Sequence, residues 1–323
     1  MIHNCIKNIR RYSKYKPSFN LKYGLNPGNK TAGYYFKDKK KFDVINGELS
    51  YINVLDAMLG WNLVNEINHR LGTIACASYK HNAPAGVSCL GNTTHTIVKN
   101  ARTCDSLSSF GDFISVNGVV DRLTARYLKT QVSDGIIATD FTEEAIDILK
   151  KKKKGEYIIL RGYNELTSDV NNVEYRDHFG VTLFQSVDKT PLPDVSSLET
   201  NKQLDALLGW ITLKYTPSNS VNFTHNKKVI GIGAGQQNRV ACIHLAGNKC
   251  IVEGLNYKNN PMPTYTMCSD GFLPFKDNII AAKEYNVDLI LHPGGSIRDS
   301  EIEEEARRNG ISIIYTGQRA FYH

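Results

Sequence analysis

Lysine and histidine stand side by side at Lys80-His81, behind a run of apolar residues and just ahead of Pro84-Ala85-Gly86. Histidine changes charge near neutral pH and so can carry a proton, while an adjacent ammonium stabilises developing negative charge. A strand ending in such a turn sets polar side chains at a sheet edge, where ligands of α/β proteins collect. Two glycine-rich segments invite comparison with anion sites. In Gly231-x-Gly233-x-Gly235, Gln236 stands where the dinucleotide fingerprint needs its third glycine, and no Gly-Lys-Ser/Thr follows. What is left is a tight turn that lets a ligand approach the backbone. The segment His292-Pro293-Gly294-Gly295-Ser296-Ile297-Arg298-Asp299 leaves a strand and opens a helix. It reads either as an anion site, built from free amides and a helix N-terminus, or as a structural turn before a capped helix. Metal chemistry has little material. The nine histidines show no H-x-x-x-H or H-E-x-x-H spacing and the seven cysteines no C-x-x-C. A G-x-S-x-G nucleophile is missing as well.

These residues need elements to hold them, and repetition marks two. Leu55-Asp56-Ala57-Met58-Leu59-Gly60-Trp61 returns as Leu204-Asp205-Ala206-Leu207-Leu208-Gly209-Trp210, with six of seven positions matched and both tryptophans inside. Each copy has the spacing of a helix with an apolar face, followed by a β-like run and a polar, glycine-containing turn. The first run is Thr73 to Tyr79, with its turn at Lys80 to Gly86; the second is Val229 to Gly233, with its turn at Ala234 to Arg239. Such a pair predicts an internal duplication. Strand and helix patterns alternate elsewhere, so the fold class is α/β. Helices are predicted over Thr142 to Lys153 and Asp299 to Asn309, with Asp299 as N-cap. Strands are predicted over Tyr157 to Leu160, Leu289 to His292 and Ile311 to Tyr315. The lysines Lys150 to Lys154, closed by Gly155, suit a helix C-terminus and read as a solvated face. Pro191 and Pro193 mark Thr190 to Asp194 as the linker between halves.

The 323 residues are 41% hydrophobic and 22% charged, an ordinary globular composition with material for one large or two medium domains. The formal charge is +7, yet eight basic residues precede Asp38, the first acidic one, and the remaining 31 basic and 32 acidic residues nearly cancel. A nucleic-acid face needs basic groups recurring along the fold, so no nucleic-acid partner is expected. An odd cysteine count without paired spacing points to reduced thiols and a cytoplasmic protein. No apolar run approaches the ~18 residues of a membrane span, and the basic N-terminus lacks an apolar h-region. Neither a membrane anchor nor a secretory signal is expected.

Read together, these segments are similar to one family, the transformylase half of the bifunctional AICAR transformylase/IMP cyclohydrolase of purine biosynthesis. The similarity is carried by Lys22-Tyr23-Gly24-Leu25-Asn26-Pro27, Leu49 to Asn53, Ala77 to Gly86, Ser108 to Asp112 and Val132 to Ala138. The second half adds Leu213 to Val221, Gly231 to Arg239, Ser269 to Asn278, Pro293 to Asp299 and Arg319 to His323. The resemblance implies a duplicated cytidine-deaminase-like fold in two similar subdomains, 20–192 and 193–323, behind a basic N-terminal segment, 1–19. Zinc deaminases hold their metal through H-x-E and P-C-x-x-C. The matching turn here is His81-Asn82-Ala83, so no catalytic zinc is expected.

The activity implied is transfer of a formyl group from 10-formyltetrahydrofolate, the cosubstrate, to the 5-amino group of AICAR. His81 is implied as the base, with Lys80 and Asn219 beside the formyl oxygen. Lys22, Tyr23, Gly111, Asp134, Arg239, Arg319 and Phe321 would hold the nucleotide. Phe272, Pro274, Asp277, Asn278 and Ser296 would line the folate site. A structural potassium ion is implied near Thr216, Ser218, Ser220 and Asp270. Family active sites form across a dimer interface, so a homodimer is expected. With no cyclohydrolase region ahead of residue 20, ring closure would fall to a separate IMP cyclohydrolase.

Three departures stand out. Lys22 replaces the family's usual arginine, exchanging a bidentate phosphate grip for a point charge. Gly28-Asn29 replaces the usual His-Gln. Only Ile251 to Cys268 fills the place of a much longer insert, which supplies an asparagine to the substrate carboxamide. Two other functions stay open from sequence. A catalytically silent nucleotide- or folate-binding homologue is disfavoured by Lys80, His81, Asn219 and Asp277 occurring together. A folate-dependent hydrolase, or a formyltransferase with another substrate, is kept open by the short segment.

Overall fold

The computed structural model describes residues 19–26, 28–29, 32–36, 39–163, 173–186, 188, 190–254 and 263–323. The basic segment ahead of Phe19 and residues 255–262 of the short Ile251–Cys268 stretch lie outside them.

Ser50 opens and Gly72 closes helix α1 (Tyr51–Leu71), which carries the first Gly-Trp segment. The Ser50 hydroxyl accepts from the Asn53 amide while the Asn53 side chain accepts from the Ser50 amide, a reciprocal cap with asparagine in the acid's usual place. Gly72 ends the helix at φ 65°, the left-handed region where only glycine is free of strain. Before α1, β1 (Phe19–Asn20) and β2 (Gly33–Tyr34) form a ribbon, and β3 (Phe42–Asn46) forms a sheet edge. After it come β4 (Cys76–Lys80), β5 (Ala83–Ser88), α2 (Thr94–Thr103), β6 (Asp112–Val120) and α3 (Arg122–Thr130). β7 (Ser133–Phe141), α4 (Glu143–Lys150) and β8 (Ile158–Gly162) complete the half. A second ribbon pairs β9 (Val173–His178) with β10 (Val181–Ser186).

The chain then repeats the sequence of element types seen from α1 to β8. It runs α5 (Thr200–Leu213), β11 (Val221–His225), β12 (Lys228–Gly233), α6 (Arg239–Gly254) and β13 (Tyr265–Ser269). α7 (Asp277–Glu284), β14 (Val287–His292), α8 (Asp299–Arg308) and β15 (Ser312–Tyr315) follow. One eleven-stranded sheet takes the order β15-β14-β13-β11-β12-β5-β4-β6-β7-β8-β3. Its centre is antiparallel, with β4 between β5 and β6 and β11 between β12 and β13. Pairing is parallel from β6 out to β8 and from β13 out to β15. The same strand order and sense thus occur twice, joined where Ser88 and Val87 of β5 pair antiparallel with Lys228 and Val229 of β12. Alternating side chains divide the core into two layers. Ala77, Tyr79, Phe113 and Ile137 pack with α1 and α5, whereas Cys76, Ile114, Ile136 and Ala138 pack with α2, α3 and α4.

Several sequence expectations change. The segment Lys80 to Gly86 is not one turn: His81 and Asn82 alone make the bend, and β5 begins at Ala83. Pro84 is tolerated there because it faces Tyr79 where the ladder shifts register. The counterpart of β4 is therefore β11, and the Val229–Gly233 run belongs to β12, the counterpart of β5. Asp299 is the first residue of α8 rather than its cap.

One residue of the lysine run, Lys152, departs from the expected solvated face, while the other four are exposed. Thr142 caps α4, which stops at Lys150, and Lys153 and Lys154 take left-handed φ values of 50° and 56°. That reversal carries Lys152 inward. Its ammonium donates to Leu128 O at 2.9 Å and Ser133 Oγ at 2.5 Å, and lies 4.1 Å from the Tyr157 ring centre. Burial, helped by the charge of Arg102, pushes its pKa down to about 7. An unfolded lysine titrates near 10.4, so between about pH 7 and 10 the unfolded chain binds the extra proton and stability rises with pH. The wild type should gain melting temperature relative to Lys152→Met between pH 7 and 9. A difference that stays constant with pH would contradict this.

Candidate active site

The antiparallel β5–β12 junction brings two sets of chain ends to one end of the sheet. The end of β4 and the starts of β5, β6, β7 and β8 lie there with the start of β11 and the ends of β12, β13, β14 and β15. β4 ends on Lys80, whose Nζ donates to Phe110 O at 2.6 Å and lies 3.8 Å from where a Cβ on Gly111 would stand. His81 follows at φ 55°, exposed, in the two-residue bend. Nearby, a cleft of about 520 Å³ is lined by Lys22, Tyr23, Glu48, Ser50, Asn53, Asp134 and Lys153 among others. Lys22, Tyr23 and Asp134 of the expected nucleotide set thus meet in one cleft. Glu48, Ser50, Asn53 and Lys153 were not singled out from sequence. Ser50 and Asn53 belong to a stretch that carried the family likeness, and Lys153 was hidden in a charge run. Lys153 Nζ lies 2.6 Å from Asp134 Oδ1, an exposed pair worth about 0–1 kcal/mol.

Residues of the second half form a denser cluster. Arg239, at the start of α6, is ion-paired with the buried Asp270, and its Nη2 donates to Asn219 Oδ1 at 3.0 Å. Its other nitrogen, Nη1, donates to Ser220 O. Held this way, Asn219 has its oxygen engaged, and its amide nitrogen donates to none of the described residues. The C-terminal chain docks alongside, with Ser218 N donating to Tyr322 O at 2.9 Å and Ala320 N to Asp270 O at 3.0 Å. The Arg319 guanidinium sits 4.9 Å from the centre of the Phe321 ring. Gly271 permits this packing, since a Cβ there would stand 2.5 Å from Arg239 Nη2 and 3.0 Å from Phe321. Asn219, Arg239, Arg319 and Phe321 are brought together, with Arg239 committed to Asp270 and Asn219.

The expected folate residues follow β13 and β14. Phe272 and Asp277 are exposed and Pro274 is half-buried. Asn278 is buried, and its amide nitrogen donates to Phe275 O and to Asp277 Oδ1, bracing the start of α7. Ser296 Oγ accepts from Arg298 N. The glycine and serine amides of the Pro293–Asp299 turn are not free for an anion. Gly295 N and Ser296 N donate to the Asp299 carboxylate at 2.7 and 3.2 Å, and Gly294 N donates to His292 Nδ1. Burial holds the His292 imidazole neutral, its pKa pushed down to about 4. The chain's own carboxylate fills the anion's place, so this is a structural turn. Gly231 and Gly233 serve packing in the same way: a Cβ on either would stand 2.1 Å from a carbonyl of α6, Ala246 O or Cys242 O.

The four residues expected around potassium fit a cation poorly. Ser218 Oγ and Ser220 Oγ both donate to Asp270 Oδ2, at 2.5 and 3.0 Å, and Thr216 Oγ1 donates to Thr212 O. Arg239 already neutralises Asp270, and a cation there would face the guanidinium. Among the described residues no group of three or more His, Cys, Asp or Glu is placed to hold a metal, and no helix is long and apolar enough to cross a membrane.

Comparison with known proteins identifies the family. The family model described as "AICARFT/IMPCHase bienzyme" matches residues 2–249. The bifunctional purine biosynthesis protein PurH of Clostridium acetobutylicum is 35% identical over 321 residues, 96% of this chain and 60% of that protein. The corresponding proteins of Petrotoga mobilis and Persephonella marina are 32% and 33% identical, over 96% and 94% of this chain and 59% of each relative. The chain spans about 60% of the length of these curated relatives. With the family match covering most of the chain, the protein belongs to the AICARFT/IMPCHase bienzyme family.

Proposed function

We propose that this chain transfers the formyl group of 10-formyltetrahydrofolate to the 5-amino group of AICAR. The observation that carries the reading is the convergence, at one end of the sheet, of Lys80-His81 with the Lys22–Tyr23–Asp134 cleft and the Asn219–Arg239 cluster. In the reaction the bond from the formyl carbon to the folate nitrogen breaks and a bond to the AICAR amine forms. The amine gives up a proton and the folate nitrogen takes one. His81 accepts the amine proton, while the Lys80 ammonium and the Asn219 amide stabilise the oxyanion of the tetrahedral species. Lys22, Tyr23, Gly111, Asp134, Arg319 and Phe321 hold the nucleotide, and Arg239 aims Asn219. Phe272, Pro274, Asp277, Asn278 and Ser296 line the folate side. Holding amine and formyl carbon in contact removes much of the entropic barrier to a poor nucleophile.

The repeated strand order supports two cytidine-deaminase-like subdomains, 20–192 and 193–323. The ribbon of β9 and β10 supports a homodimer, since Tyr175, Phe179, Leu183 and Phe184 are all more than half exposed on it. The six described cysteines are all buried, which fits a reducing, cytoplasmic setting. Potassium stays outside this reading because Asp270 is committed to Arg239. The test is steady-state release of tetrahydrofolate by the purified chain. Release should require both AICAR and the formyl donor. Folded protein that releases none refutes the reading, and release without AICAR points to a hydrolase.

A further inference from the structure

Asp56 and Asp205 occupy the same place in the two Gly-Trp segments. Both are buried, at 6% exposure, and both reach to the bend of the hairpin that follows their helix. Asp56 Oδ1 accepts from the Asn82 amide at 2.7 Å. Asp205 accepts from the amides of Asn226 and Lys227 at 2.9 and 2.6 Å. In each bend two successive non-glycine residues take positive φ: 55° and 62° at His81-Asn82, 49° and 62° at Asn226-Lys227. Two-residue hairpin turns of this kind favour Asn-Gly or Gly-Gly, and histidine or lysine there is strained unless its surroundings hold it. A buried carboxylate accepting the turn's amides is such a hold.

The two bends differ in what they carry. Asn226-Lys227 lies at the opposite end of the sheet from the cleft, beyond β11. His81-Asn82 lies beside Lys80 and the cleft. The fold uses one device twice, and in the first half the device sits under the base. We propose that Asp56 is a positioning residue, which fixes the His81–Asn82 bend and through it the orientation from which the His81 imidazole takes the amine proton. This deepens the formyl-transfer reading and rests on it. The carboxylate is retained at a cost: burial pushes its pKa up to about 6, against the amides of Asn82 and His81 and the nearby His81 ring, which favour the charge, while Asp134 adds to the rise. A group kept ionised against its burial is one whose negative charge and acceptor atoms the site uses.

The experiment compares the full chain with Asp56→Ala, Asp56→Asn and Asp205→Ala, by steady-state kinetics and by hydrogen exchange of the Asn82 amide. Asp56→Ala should lower kcat roughly 10²-fold, the effect of a misplaced catalytic group, with the AICAR KM nearly unchanged. The Asn82 amide should lose its protection in that variant. Asp56→Asn keeps an oxygen acceptor and should restore at least about tenfold of the loss, with one fewer proton in the acid limb of its pH profile. Asp205→Ala should lose stability comparably yet stay within about twofold of wild-type kcat. The proposal is overturned if Asp56→Ala keeps full kcat, if Asp205→Ala slows turnover equally, or if the Asn82 amide stays protected in Asp56→Ala. Failure of the wild type to transfer formyl would count against the formyl-transfer reading alone, because the Asn82 exchange reports the hold on the bend independently of turnover.

Discussion

Replacing His81 by alanine should lower kcat by roughly 10²–10⁴-fold, the usual contribution of a general base. The AICAR amine is a weak nucleophile, because its lone pair is delocalised into the ring and carboxamide, so bond formation and proton removal must proceed together. His81 is exposed at the end of β4, and its ring makes no hydrogen bond among the described residues, so it is available for this role. Alanine at φ 55° carries the left-handed backbone strain that histidine already bears there. His81→Asn is the cleaner variant, since asparagine enters the left-handed region more readily and keeps the backbone while removing the base. Both variants should lose kcat to a similar degree. Full activity in His81→Asn would move the base elsewhere.

Asp112→Ala should cost about 3–5 kcal/mol of unfolding free energy, since it leaves a buried guanidinium without its counterion. Asp112 and Arg102 are 0% and 5% exposed, with Arg102 Nε 2.9 Å from Asp112 Oδ2. The same carboxylate oxygen accepts from Ser78 Oγ at 2.7 Å. Arg102 in turn donates to Ser109 O, Val132 O and Gln131 Oε1. The pair therefore binds the end of α2 to β4 and to the loops that present Phe110, Gly111 and Asp134. Urea unfolding measures the loss directly. A change below about 1 kcal/mol would show that the network is not coupled as described.

Much of the fold was legible because its signals are local. The two Gly-Trp segments form helices packed on the sheet, and predicted strands such as Leu289 to His292 lie inside observed ones. The hairpin after β4 was not legible, because Ala83-Pro84-Ala85-Gly86 has the composition of a loop. Proline is admitted by a register shift, and glycine by the approach of α2, whose Ala101 O would stand 2.4 Å from a Cβ on Gly86. Lys152 was misread because its burial depends on two left-handed residues that follow it, which lysine gives no reason to expect. The Pro293–Asp299 turn was half legible. Its amides do bind a carboxylate, but the one at Asp299, four residues on from Gly295. Of the candidate site, the sequence offers single motif residues such as Lys80, His81 and Asn219. The partners that aim them, Phe110 for Lys80 and Arg239 for Asn219, depend on tertiary placement.

The central claim is tested most directly by following the formyl carbon itself. The purified chain is supplied with AICAR and with 10-formyltetrahydrofolate labelled at the formyl carbon, and the products are resolved under single turnover. The label should pass to the exocyclic amine of AICAR, in step with the tetrahydrofolate released. Label recovered as free formate, or left on the folate by folded protein, would contradict the account.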